Sequence, residues 1–218
     1  MTDLIEPEVQ GANLAERAYA ALLRRILLRQ IPPGAPLIEE RLARELTLSR
    51  TPLREALVRL AGEGLLVKHG RSPYAVRYVG AHEYFQSLRV RLLLEPEAAA
   101  LAAGRIENAT AAALAQRIRA LAEERVQVER HWDADDALHG LVANAAGNPI
   151  LARTIADLRV WTRLFELTDP FDRVGPDAEE HLAILEAVAA GRAEAARRAM
   201  QRHLKQLERL MTKRISGA

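Results

Sequence analysis

A chain of 218 residues with 49% hydrophobic content is long enough for one large or two small domains and apolar enough to build a core, which sets disorder aside. It has no cysteine, so disulfide frameworks and thiolate metal sites are excluded; no apolar run reaches the ~18 residues of a membrane span, and MTDLIEPEVQ is acidic where a signal peptide is basic, so a soluble, cytoplasmic protein with no membrane partner is expected. The net charge of +2 hides a basic stretch: residues 14–80 stand at +6, residues 81–218 at −1 and the first thirteen at −3, the split of a polyanion-binding module joined to something else.

In chain order, LAERAYAALLRRILLRQ (residues 14–30) places Leu14, Ala18, Ala21, Leu22 and Ile26 on one side, a helical spacing. Pro32, Pro33 and Gly34 stop that helix. A second short helix is predicted over Glu39 to Leu46, with Leu42, Ala43 and Leu46 inward. After the connection TLS comes a third, in which Leu53, Ala56, Leu57 and Leu60 form the i, i+3, i+4, i+7 stripe that faces a core, and Gly62 and Gly64 close it. LLVKHGRSPYAVRYV then reads as two short strands, Leu65 to Lys68 and Tyr74 to Val79, around a turn with His69, Gly70 and Pro73. Three short helices followed by a β-ribbon make a winged helix-turn-helix, assigned to residues 1–80.

The chemistry of this unit is concentrated in LSRTPLREALVRL (residues 48–60). Ser49 is placed to cap the helix, and Pro52, in the first turn, loses no intrahelical bond by lacking an N–H. Arg50 and Arg54 lie one turn apart, opposite Leu53 and Leu57. That face is free to enter a major groove, where arginine grips guanine O6 and N7 or holds phosphates, while Ser49 and Thr51 suit backbone contacts. His69, Gly70 and Arg71 of the wing approach the minor groove or phosphates, or form a plain solvated hairpin. The order helix, turn, helix, basic wing is the one a DNA-reading unit requires.

Residues 14–79 resemble the DNA-binding domain of GntR-superfamily transcription regulators. IPPGAPLIEERLARELTLSRTPLREALVRLAGEGLL carries the likeness, SRTPLREAL most specifically. Thr47 departs from the pattern, standing where a glycine is usual in the turn between the second and third helices, and the wing HGRSPYAV is not the commonest form. The resemblance implies double-stranded operator DNA as a partner. One reading head covers half a site and two-fold operators mirror two-fold proteins, so a homodimer is expected.

Beyond Ala81 the pattern is helical throughout, with helices predicted near 82–104, 108–126, 128–146, 149–167, 177–190 and 192–214. Breaks fall at Gly147-Asn148-Pro149 and Gly191, and Pro96 lies inside the first of these helices. The expected fold is therefore mainly α: the winged helix-turn-helix, then an all-helical bundle over residues 81–218 with room for an interior cavity.

Asp135 and His139, four residues apart, project from one helical face. His181 lies ten residues before Gly191 and His203 twelve after it, so an antiparallel hairpin with arms of about 15 and 18 Å brings the two imidazoles to nearly the same level. Three imidazoles and a carboxylate suit Zn²⁺, and also Ni²⁺, Mn²⁺ or Fe²⁺ with water completing the shell. His131, at i−4 from Asp135, stands as an exposed neighbour or a substitute ligand, and Asp136 reads as solvated.

VRLLLEPEAAALAA, DDALHGLVANAAGNP and EEHLAILEAV followed by His203 are similar to the FCD ligand-binding domain of the FadR subfamily, over about residues 82–214. That resemblance implies Asp135, His139, His181 and His203 as metal ligands. It also implies a small carboxylate effector beside the metal, with Arg91, and more weakly Arg159, meeting its charge; either arginine equally suits a pairing with a nearby carboxylate such as Glu95. Leu138 stands where this family often has phenylalanine. The expected function is a metabolite-responsive transcription regulator, a repressor by family habit. The alternative is a metal-dependent hydrolase or lyase, for which Glu180 is the nearest candidate base. No His-Glu-x-x-His helix or nucleophile elbow supports that alternative.

Overall fold

The computed structural model describes residues 13–68, 70–124, 129–166 and 173–217, and the chain divides into two compact units between Tyr78 and Val79. The first unit opens with α1 (Leu14–Leu27), whose buried side is Ala18, Leu22 and Ile26. Leu14, expected on that stripe, is 48% exposed because it sits at the helix's first turn, before the packed stretch begins. Helices α2 (Glu39–Glu45) and α3 (Arg50–Gly62) follow, and α3 packs on both α1 and α2. Its stripe is the expected one: Leu53, Ala56, Leu57 and Leu60 are all buried, each leucine contributing about 1.5–3 kcal/mol by leaving water.

The turn between α2 and α3 keeps the conformation a glycine would adopt. Thr47 has φ 54°, in the left-handed region, and Leu48 N–H donates to the Ala43 carbonyl at 2.9 Å. A β-branched residue there costs on the order of 1–3 kcal/mol, which the packed helices on either side absorb. Ser49 occupies the N-cap with an extended backbone, but its side chain makes no capping bond, contrary to expectation. Its hydroxyl is left on the exposed surface of the turn.

The wing is shorter than predicted. Strands β1 (Leu66–Val67) and β2 (Ala75–Val76) pair antiparallel, Leu66 opposite Val76. IPPGAPL does more than end α1: Gly34 N–H donates to the Val76 carbonyl at 2.8 Å and Leu37 N–H to the Tyr74 carbonyl at 2.7 Å, so this segment runs beside β2 and buries Leu37. Proline carries no N–H to offer a ladder, which is why periodicity alone did not suggest a strand there.

The second unit is helical: α4 (Ala81–Ala102), α5 (Asn108–Ala122), α6 (Glu129–Ala145), α7 (Pro149–Glu166), α8 (Val174–Ala189) and α9 (Ala193–Ser216). The expected helix boundaries at residues 126, 128 and 167 fall outside the described residues. α8 begins three residues before the predicted start, because Pro176 stands in its first turn, where the missing N–H has no helical partner to lose. α4 packs on α7 and α9, while α8 packs on α5 and α9. The core between them includes Leu88, Leu138, Ile184, Val188, Met200 and Leu204. Leu138 fills its site fully buried, so the absent phenylalanine leaves a packed position. The α8–α9 hairpin turns at Gly191 (φ 68°) against Gly104 (φ 75°), whose N–H donates to the Val188 carbonyl at 2.9 Å. A Cβ on Gly191 would lie 3.8 Å from the Gly104 Cα, so positive φ, more than space, calls for glycine here.

Candidate functional sites

Three helices of the second unit deliver the predicted polar cluster. Asp135 and His139 come from one face of α6, His181 from α8 and His203 from α9, and one ligand atom from each lies within 4.8 Å of the others. The imidazoles are 1%, 4% and 3% exposed in chain order. Asp135 Oδ1 is 3.5 Å from His139 Nε2 and 3.4 Å from His181 Nε2. Bonds of 2.0–2.1 Å in a tetrahedral shell put donor atoms about 3.4 Å apart, so these spacings suit a shared cation. Both of those Nε2 atoms are buried with no hydrogen-bond partner among the described residues. A buried polar atom left unpaired costs about 1–3 kcal/mol, and here two converge on one carboxylate.

Burial and neighbouring charges set the protonation of three of the four groups, Asp135, His139 and His203. Burial lowers the affinity of His139 and His203 for a proton below the ordinary histidine value, so both are neutral at pH 7. For Asp135, burial pushes the carboxyl up, but Arg159, His181 and His139 outweigh it and keep it well below the usual range. Neutral imidazoles and an ionised carboxylate are the states a divalent cation requires. Asp135 spends its other oxygen on α7, with Arg159 Nη2 at 2.6 Å and Arg163 Nη2 at 3.4 Å. Arg163 in turn stacks over the Trp132 ring, 4.1 Å from its centroid. Asp136, expected to be solvated, pairs with both arginines at 2.6 and 3.0 Å.

A cavity of about 60 Å³ opens beside Asp135, His181 and His203, and Arg91, Glu166 and Asp177 add further charge to its wall. That is room for several waters or a small solute. Arg91 reaches it from α4 while its Nε donates to Glu95 at 2.5 Å and its Nη1 to Thr162 at 2.8 Å. Arg159 is not on the wall; it is spent on Asp135 and Asp136. His131 lies on the wall with Nε2 3.0 Å from the Leu121 carbonyl and takes no place in the four-group cluster.

Burial raises Glu166 to about 7, despite Arg91 and Arg163, and its carboxyl meets the Tyr84 hydroxyl at 3.1 Å. A carboxyl raised on folding contributes stability below its unfolded value of 4.5, and that contribution is lost as pH rises to about 7. Glu166→Gln, neutral at every pH, should therefore gain on the wild type between about pH 5 and about pH 8 by on the order of 2–3 kcal/mol. Urea denaturation of both metal-free proteins at the two pH values measures it; an equal difference at both would contradict the assignment.

Two residues named in the sequence take a further role in the site. Glu95 bonds His139 Nδ1 from 44 positions away, and Glu180 meets His203 Nδ1 at 2.8 Å. Glu95 showed only its i,i+4 spacing from Arg91. Glu180, weighed as a catalytic base, is bonded to His203 and Arg173.

On the first unit, Arg50, Thr51 and Arg54 lie on the exposed side of α3 with Ser49 at its start. Both arginines face the first turn of α2: Arg54 Nε donates to Glu39 at 2.6 Å, and Arg50 Nη2 lies 3.9 Å from Glu40. Gly70 and Arg71 are exposed on the wing, Gly70 with φ 62°. His69 lies outside the described residues.

Comparison with known proteins agrees with both halves. Residues 86–206 match the FCD domain, and residues 14–76 match the bacterial regulatory proteins of the gntR family. The chain is 29% identical over 198 residues to the HTH-type transcriptional repressor RspR of Escherichia coli K12, covering 88% of this chain and 86% of that protein. It shares its fold with the solved structure of E. coli McbR/YncC, with a TM-score of 0.77 at 23% identity over 94% of this chain and 99% of that one. A GntR regulator from Rhodococcus sp. RHA1 has a TM-score of 0.71 at 24% identity, over 91% and 97%. A winged helix-turn-helix joined to such a helical unit defines a DNA-binding transcription regulator, not an enzyme. The chain belongs to the GntR family of bacterial regulators, and its C-terminal unit is an FCD domain.

Proposed function

We propose that this protein is a metabolite-responsive repressor: it binds operator DNA as a homodimer and senses a small carboxylate at a divalent cation held by Asp135, His139, His181 and His203. Zinc is the first candidate, with nickel, manganese or iron as alternatives. The observation that carries the reading is the pair of buried, unpartnered Nε2 atoms of His139 and His181 converging with His203 on one carboxylate. Such a centre supplies positive charge to the cavity wall, where Arg91 adds its own. A carboxylate is the solute both groups favour, and Arg91 is the stronger candidate to receive it, since it lines the cavity and Arg159 does not. The similarity to RspR, a repressor, favours repression. Exposed Val90 and Leu93, one turn apart on α4, leave an apolar patch that favours self-association. No described helix is long and apolar enough to cross a membrane.

On the DNA side, Ser49, Arg50, Thr51 and Arg54 form the reading face, with His69, Gly70 and Arg71 as wing contacts. Arg50→Ala and Arg54→Ala should each weaken specific binding by ~1–3 kcal/mol if the residue reads a base. Fluorescence anisotropy on a duplex selected from a random library by the wild-type protein measures this. Unchanged affinity in both variants would remove α3 from the interface. Release of that duplex by carboxylates from a panel of sugar acids, hydroxy acids and dicarboxylates tests the sensing step.

A further inference from the structure

We propose that Glu95 and Glu180 are positioning residues of the metal centre, each the middle member of an Arg–Glu–His relay that aims an imidazole at the cation. The proposal rests on the metal reading above and adds two residues from outside the four-group set. In the first relay, on α4 and α6, Glu95 divides its carboxylate: Oε1 takes Arg91 Nε and Oε2 takes His139 Nδ1. All three side chains are essentially closed to solvent. In the second, Glu180 of α8 takes His203 Nδ1 of α9 at 2.8 Å and Nη2 of Arg173, the N-cap of α8, at 2.5 Å, both on Oε2. Arg173 is anchored in turn by Asp177, 2.9 Å from its Nε.

The two relays come from unrelated stretches of chain yet perform the same operation. A carboxylate at Nδ1 accepts the ring proton, which leaves Nε2 as the bare donor and fixes the ring plane; it also makes that donor more basic. The arginine holds the glutamate in turn and offsets the cost of burying its charge. A buried Arg–Glu pair that served packing alone would have no need to share its carboxylate with an imidazole. Asp177 and Glu180 also form a grouping with His203, but they approach its Nδ1 side, at 4.0 and 2.8 Å. That is the face turned away from a donor Nε2, so Glu180 orients His203 and is not itself a ligand.

The test uses the full chain and zinc as the probe. Glu95→Gln and Glu180→Gln keep shape and remove charge. Each should raise the zinc dissociation constant, measured by competition with a chromophoric chelator, by ~10–100-fold. The thermal midpoint of metal-free Glu180→Gln should stay near wild type, since that site is part-exposed, so folding and metal affinity separate in at least one variant. The visible spectrum of the cobalt-substituted protein should shift in both, which a packing role would not cause. Wild-type zinc affinity in both variants would overturn the proposal, and so would complete loss in Glu180→Gln, which would make Glu180 a ligand. A wild-type chain that takes up no zinc would instead defeat the metal reading on which the relays depend.

Discussion

Replacing His203 with alanine is expected to abolish stoichiometric metal binding while leaving DNA binding by the metal-free protein intact. The imidazole is buried, neutral and held from behind by Glu180, so its removal deletes a donor and leaves its cavity position without a substitute. Loss of one of four donors costs more than loss of an outer-shell partner, which itself costs ~10–100-fold, so zinc affinity should fall by at least about 100-fold. His181→Ala should behave alike. Effector response should disappear with the metal in both, and full metal retention in both would refute the ligand assignment. Operator binding is measured in the same preparations, because α3 lies in the other unit and shares no residue with the centre.

Among the ion pairs of the described residues, truncating Arg91→Ala should be the most damaging. Arg91 and Glu95 are 3% and 2% exposed, and removing Arg91 leaves a buried carboxylate that has lost its paired cation and keeps His139 and the more weakly acting Arg159. Breaking a buried pair by removing one partner costs about 3–5 kcal/mol. In a unit of this size each kcal/mol is worth roughly 2–4 °C, so a fall on the order of 10 °C in thermal midpoint is expected. The exposed pair Arg59–Glu16 sets the scale for comparison, since surface pairs contribute about 0–1 kcal/mol. Calorimetry of Arg91→Ala decides the matter: a loss within the surface range would mean that Glu95 is neutral or hydrated in the folded protein. The ordinary expectation for a buried carboxyl is a raised affinity for its proton, and only Arg91, with His139 and Arg159, reverses it.

What was legible in the sequence follows the range of the forces involved. Helix faces are set by local periodicity, so the buried stripe of α3 and the α8–α9 hairpin carrying His181 and His203 could be read from spacing. That Asp135, His139, His181 and His203 come together was legible because two lie at i,i+4 and the other two sit at matched distances from Gly191. Glu95 was not legible as a partner of His139, since nothing local ties residues 44 positions apart. The pairing of Arg159 and Arg163 with Asp135 and Asp136 depends on how α6 packs on α7, which side-chain spacing within either helix does not encode. The missing Ser49 cap and the third strand-like segment at Gly34 to Leu37 are of the same kind: each depends on where neighbouring backbone happens to lie.

The proposed sensing role depends on side chains from α6, α8 and α9 holding one cation. Elemental analysis of the purified full-length chain, after zinc loading and extensive dialysis, addresses that directly. The account predicts one tightly held ion per chain, lost on His203→Ala. A wild-type protein that emerges from dialysis essentially metal-free would contradict it.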